Sequence, residues 1–181
     1  ILRLTREYKF RFQRAGDARR AAAAYLEEWT AYYRSALDEA QVYAASEEAI
    51  AAAAPGRGPG RGSVRRLFAS AITFDGGRHW LESIFGELDR RIVVKGPPGT
   101  GKATILARVA DAALARGFSL DVFHCPIYPE QIDHLRVRET GVGVITSFWP
   151  HEYQPREGDV VIDTGTFVDA GRVARYEKEI A

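Results

Sequence analysis

Arg91-Ile92-Val93-Val94-Lys95-Gly96-Pro97-Pro98-Gly99-Thr100-Gly101-Lys102-Ala103-Thr104 decides how the chain is read. A β-branched run suited to a buried strand leads into a glycine-rich loop, and a helix-forming segment follows without a spacer. Gly96, Gly101 and Lys102 stand at the spacing at which backbone N–H groups wrap a polyphosphate while no side chain intrudes. Lys102 is placed to neutralise the outer phosphates, and the N-terminus of the following helix adds its own partial positive charge. The expected cradle is Gly96, Pro97, Pro98, Gly99, Thr100, Gly101, Lys102, Ala103 and Thr104. One position departs from the pattern: Ala103 stands where a Ser or Thr hydroxyl ordinarily meets Mg2+. Thr104 is turned about 100° further around the helix and cannot simply replace it.

Outward from this loop, strands and helices alternate. Residues 67–74 read as a buried strand, Asp75-Gly76-Gly77 as a turn, and 79–88 as a helix with Trp80, Ile84 and Phe85 inward. Beyond the loop, a helix over 102–116 closes at Gly117. Strands follow at 120–125, 142–147 and 160–163, and a last helix over 168–180. Five strands alternating with helices predict an α/β fold with a parallel sheet and helices on both faces. Upstream, 1–14 reads as helix, Gly16-Asp17 as a break with an N-cap, and 18–53 as a long alanine-rich helix. Its Tyr25, Trp29, Tyr32, Ala36, Ala40 and Tyr43 form one stripe suited to packing. Residues 55–63, Pro-Gly-Arg-Gly-Pro-Gly-Arg-Gly-Ser, read as a mobile linker. The expected organisation is a helical connector at 1–54 folded as a hairpin, a flexible linker at 55–64, and a nucleotide-binding domain at 65–181.

Bulk properties narrow the function. A chain of 181 residues can bury a real core, and its formal charge of +1 supplies no global field for nucleic acid or an anionic membrane. One cysteine excludes an internal disulfide and suits a reducing, cytoplasmic compartment. No apolar run approaches the ~20 residues of a membrane span. The chain opens at Ile1 and contains no methionine, so it is expected to be a piece of a longer protein.

In an open α/β sheet, ligands bind beyond the carboxyl ends of the strands. That rule gathers Lys102 with Asp133, His124, Cys125 and His134, with Ser147, His151 and Glu152, and with Asp163 and Thr164. Phosphoryl chemistry also needs an acid to hold Mg2+ or position the nucleophile. Val160-Val161-Ile162-Asp163 supplies one at a strand end, and Glu152 is the nearest acid after the strand ending at Ser147. The two stay open as alternatives. His151 joins Lys102, Asp163 and Glu152 as a candidate catalytic group. His124, Cys125, His134 and His151 lack the close spacing of zinc ligands, so no metal centre is expected among them. Arg136, Arg138 and Arg156 are candidates for clamping phosphate.

The Gly-Pro-Pro-Gly-Thr-Gly-Lys spelling between a strand and a helix resembles the P-loop NTPase superfamily, many of whose ATPases share it. A longer run, FASAITF…IFGELDRRIVVKGPPGTGK…VFHCPIYPEQIDHL…GVGVITS…PHEY…GDVVID, covers roughly 65–168. It looks like a bacterial family of ATPases or ATP-binding proteins with two P-loop halves joined by helices. The resemblance implies a P-loop fold, ATP and Mg2+ as ligands, and a second P-loop half or a further copy of the chain as partner. Members of that family usually carry Ser or Thr where this chain has Ala103, so binding is implied more firmly than turnover. An ATPase is the leading expectation. A small-molecule or nucleotide kinase and a non-hydrolysing regulatory half are the alternatives.

Overall fold

Ile92, Val93 and Val94, all fully shielded from solvent or nearly so, lie at the heart of a six-stranded sheet. The computed structural model describes residues 2–149 and 152–176. In chain order it contains α1 (Leu2–Ser35), α2 (Glu39–Ala53), β1 (Val64–Leu67), β2 (Ser70–Thr73), β3 (Gly76–His79), α3 (Leu81–Phe85) and β4 (Arg90–Lys95). There follow α4 (Lys102–Ala115), β5 (Leu120–His124), β6 (Ile132–Val137), β7 (Val142–Ser147), β8 (Val160–Asp163), a 3-10 turn (Thr164–Phe167) and α5 (Ala170–Val173). The sheet order is β1-β5-β6-β7-β4-β8, with β2 and β3 forming a separate hairpin. No helix among the described residues is long and apolar enough to cross a membrane.

Strand alternation sends β4 side chains to both faces. Ile92 and Val94 join α2 and α4, where Val42, Ile50, Ile105, Leu106 and Val109 pack, while Val93 turns to Leu81 and Phe85 of α3. Gly143 on β7 lets Phe85 lie flat on the sheet, since a Cβ there would stand 2.8 Å from the ring. Helices therefore cover both faces, as expected.

The sheet is mixed, and this corrects the expectation of five parallel strands. β4 pairs in parallel with β7 and β8, but β6 runs antiparallel to both β5 and β7. Residues 125–131 are too few for the crossover that parallel pairing requires, so the chain turns back instead. The expected strand at 67–74 is also revised. Its first residue, Leu67, ends β1, the strand breaks at 68–69, and Ser70–Thr73 form β2 and reverse at Thr73, whose Oγ1 accepts from the Asp75 N–H and donates to the Gly76 carbonyl. The expected helix at 79–88 shortens to α3, leaving Trp80 exposed. Of the helix expected at 168–180 the described residues show α5, Ala170–Val173, with the 3-10 turn lying before it, and residues 177–181 lie outside those described.

At the N-terminus the helix runs straight through Gly16, where one glycine costs only about 1 kcal/mol. The break falls instead at 36–38. Asp38 caps α2 by accepting from the Ala40 and Gln41 N–H groups at 3.0 and 3.4 Å. Leu37 bridges Val168, and the Asp38 and Asp169 N–H groups reach the carbonyls of Phe167 and Ala36. α2 then packs on α4, with six residues from Val42 to Ala53 buried and five of them in the main core, in place of a hairpin with α1. The predicted stripe is corrected too: Tyr25 and Tyr43 are exposed, and the side of α1 that rests on the body is Ala23, Leu26, Trp29, Thr30 and Tyr33. The glycine-rich segment 55–63 is held backbone to backbone. Gly58 N–H donates to Arg116 O at 2.8 Å, and Leu120 N–H to Ser63 O at 2.7 Å.

Candidate functional site

β4 delivers the glycine-rich loop to the carboxyl edge of the sheet, and α4 begins at Lys102. Gly96, Gly99 and Gly101 take φ of +142°, +83° and +93°, conformations that a side chain disfavours. At Gly96 an added Cβ would stand 2.3 Å from Thr164 Oγ1; at Gly101 it would meet Val42 at 2.6 Å. The buried hydroxyls of Thr100 and Thr164 lie 2.6 Å apart and reach the carbonyls of Pro97 and Lys95 at 2.8 and 2.9 Å. The loop is thus buttressed from the turn that follows β8.

Lys102 folds back over the loop. Its Nζ donates to the carbonyls of Gly96 at 2.5 Å and Pro97 at 2.6 Å, and stands 5.2 Å from the centre of the Phe148 ring. Burial lowers its pKa to about 8, against the pull of the nearby Asp133 charge. Burial likewise raises Asp133 to about 6, opposed by a hydrogen bond with Cys125 and by the charge of Lys102. The Cys125 thiol is pushed up to about 11, chiefly by burial and then by Asp133, which keeps it protonated and unreactive at neutral pH. Asp133 Oδ2 is buried without a hydrogen-bond partner. Lys102, Asp133 and Cys125 therefore form one coupled group beside the loop.

Asp133 reaches that position because β6 runs backwards. In an antiparallel strand it is the beginning, not the end, that lies at the ligand edge, so Asp133 precedes its apolar residues. A search for an apolar run followed by an acid cannot find it. The usable signal was the short connection at 125–131, which forces the reversal.

The other candidates are placed as follows. Asp163 pairs in register with Lys95, lies 3.1 Å from its Nζ, and accepts from Gly165 N–H at 3.0 Å. Its neighbour Thr164 touches the loop directly. Glu152 is exposed on the excursion that follows β7, which Ser147 Oγ clips at its base through the Tyr153 N–H and carbonyl. His151 lies outside the described residues. His124 Nε2 stands 2.9 Å from the Arg66 guanidinium, and His134 is buried against the Phe85 ring at 5.9 Å. Among the described residues no group of three or more His, Cys, Asp or Glu side chains is placed to hold a metal ion. Arg138 is taken up by Asp121 and Ser63, and Arg156 by Glu82 and the Gly86 carbonyl.

α1 crosses this edge. An added Cβ at Gly99 would stand 2.3 Å from the Thr30 carbonyl oxygen. The Trp29 ring meets Phe148 edge-on at 5.5 Å, Tyr128 donates its hydroxyl to Ala23 O at 2.7 Å, and Arg19 donates to Ile127 O at 3.2 Å. Comparison of the chain with protein-family models, with curated proteins and with solved structures finds no match, so the chemistry of the site rests on its own geometry.

Proposed function

We propose that the chain is a P-loop NTPase-like domain that binds ATP, with the phosphates held by residues 96–102, and that it serves as the ATP-binding part of an ATPase. The observation that carries this reading is the loop itself. Three glycines take positive φ between a buried parallel strand and a helix N-terminus, and a lysine ammonium is turned onto the loop's own carbonyls. A polyphosphate would draw that ammonium from neutral carbonyls to anionic oxygens, a stronger partner, while the N–H groups at the start of α4 face the same charge.

Mg2+ favours oxygen ligands and keeps several waters, so one protein carboxylate plus phosphate oxygens can hold it. The unpartnered Asp133 Oδ2 fits that role, whereas Ala103 offers no oxygen and the Thr100 and Thr164 hydroxyls are engaged. When bound, Mg2+ would offset charge on the outer phosphates. Asp163, held by Lys95 beside the loop, is the second acid within the site; Glu152 stands exposed. Ala103 supports a second reading, in which this domain holds ATP and a partner half or copy performs the hydrolysis.

Single-turnover reactions with γ-labelled ATP separate these readings. Phosphate release without an acceptor supports the ATPase, and release only with an added metabolite supports a kinase. ATP returned intact by the wild type but cleaved by Ala103→Ser supports the holding role. Failure of ATP to bind at all would sink all three.

This reading carries a pH dependence. Lys102 is charged below about pH 8 and loses its charge above it. ATP affinity should therefore hold near neutrality and fall as pH rises through 8, by up to about tenfold per unit. Titration calorimetry at several pH values checks this. Folding responds with the opposite sign. Between about 8 and 10.5 the folded state binds fewer protons at Lys102 than the unfolded chain, so this group makes stability rise with pH there. Asp133 keeps its proton in the folded state from 3.8 to about 6, so its contribution falls as pH rises across that window.

A further inference from the structure

We infer that α1 is a displaceable strap: residues 23–33 close the ligand edge in this arrangement, and the polyphosphate binds a second arrangement in which α1 is lifted. This rests on the reading of residues 96–102 as a phosphate cradle. The closure is direct. The Thr30 carbonyl abuts Gly99, Phe148 covers the Lys102 ammonium, and Trp29 backs Phe148. A ligand drawing Lys102 outward meets Phe148 first and α1 behind it.

The seat of α1 is weak where that of α2 is strong. No described α1 residue from Leu4 to Ser35 is buried as a whole, while α2 buries six, five of them in the main core. Over the site itself α1 is tied down by side-chain hydrogen bonds from Tyr128 to Ala23 O and Glu27 and from Arg19 to Ile127 O, while Arg172 on Ser35 O and the Tyr32–Tyr176 stack hold its C-terminal end near the pivot. The Trp29 indole N–H is buried beneath it without a partner, and lifting would return that donor to water. Segments with few buried contacts and unsatisfied groups open locally before the core does.

The pivot is also present. The helix is interrupted at 36–38, where Leu37 bridges Val168 and Asp38 caps α2, so α1 can swing while α2 stays fixed. A ligand that binds only the lifted arrangement has its affinity reduced by the fraction lifted, and loosening the seat removes that penalty.

The test uses the full chain. Tyr128→Phe deletes the hydroxyl's bonds to Ala23 and Glu27 and keeps the ring, which lies outside the buried core; Trp29→Ala removes the packing on Phe148. Calorimetric ATP affinity should tighten about threefold in the first and about tenfold in the second. Amide exchange at residues 23–33 of the wild type should rise when ATP is added. Unchanged affinity in both variants, with 23–33 still protected in the ATP complex, would show ATP binding under a seated α1; the strap would then be wrong and the phosphate cradle intact. If neither wild type nor variants bind ATP although Trp29→Ala frees 23–33 to exchange, the cradle reading fails and the strap falls with it.

Discussion

Lys102→Ala should weaken ATP binding by roughly two to three orders of magnitude, since removing one member of a desolvated, hydrogen-bonded charge pair costs about 2–5 kcal/mol and each 1.4 is tenfold. The estimate stands in the middle of that range because the ammonium is half-buried, has Phe148 on one side, and is the cation nearest to Asp133 in the coupled group. Without it, a polyphosphate brought near Asp133 would meet a carboxylate with nothing to offset it. Calorimetry near neutral pH measures the change. Wild-type affinity in the variant would mean that residues 96–102 are not where ATP binds.

Gly96→Ala should lower the unfolding free energy by about 4 kcal/mol, from two costs that add: about 1–3 for backbone strain and about 1–3 for overpacking. At φ +142° a side chain is strained, and its Cβ would lie 2.3 Å from Thr164 Oγ1 and 2.9 Å from both Gly165 N and Thr100 Oγ1. Those three atoms are fixed by the hydroxyl network and the turn after β8, so none can yield cheaply. Two controls separate the costs. Gly141→Ala, at φ +68° with nothing within 4 Å, carries conformational strain alone; Gly60→Ala, with open space and no positive φ, should be near neutral. Urea denaturation with unchanged slope gives the three values. Equal losses for Gly96→Ala and Gly141→Ala would show that Thr164 does not press on the loop.

The loop, its strand and its helix were legible in the sequence because their physics is local: β-branched residues, glycines at fixed offsets, and apolar positions at helical spacing all sit within 25 residues. What escaped notice depended on distant partners. Nothing near Gly16 shows that the helix continues, since the preference is decided by the stronger cap at Asp38 and the bridge from Leu37 to Val168. Residues 55–63 read as a linker because glycines leave a lone chain flexible, but glycines also let two backbones touch, as Gly58 and Gly117 do. Asp133 is readable from sequence as an edge residue, but its direction of approach depends on the reversal of β6. Trp29 reads as part of a packing stripe, and its partner Phe148, 119 residues further on, is what sets it over the candidate site.

Thr164 buttresses Gly96 from the far end of the domain, and this has a kinetic consequence. β4 lies between β7 and β8, both of which follow it in the chain, and the contact that shapes the loop spans residues 96 to 164. During synthesis, β4 and its glycines leave the ribosome long before the strands that flank them. The cradle is therefore among the last parts to acquire its form, and it does so through pairings of large sequence separation, which form slowly. A nascent chain halted before residue 164 would carry every residue of the loop and still lack its shape.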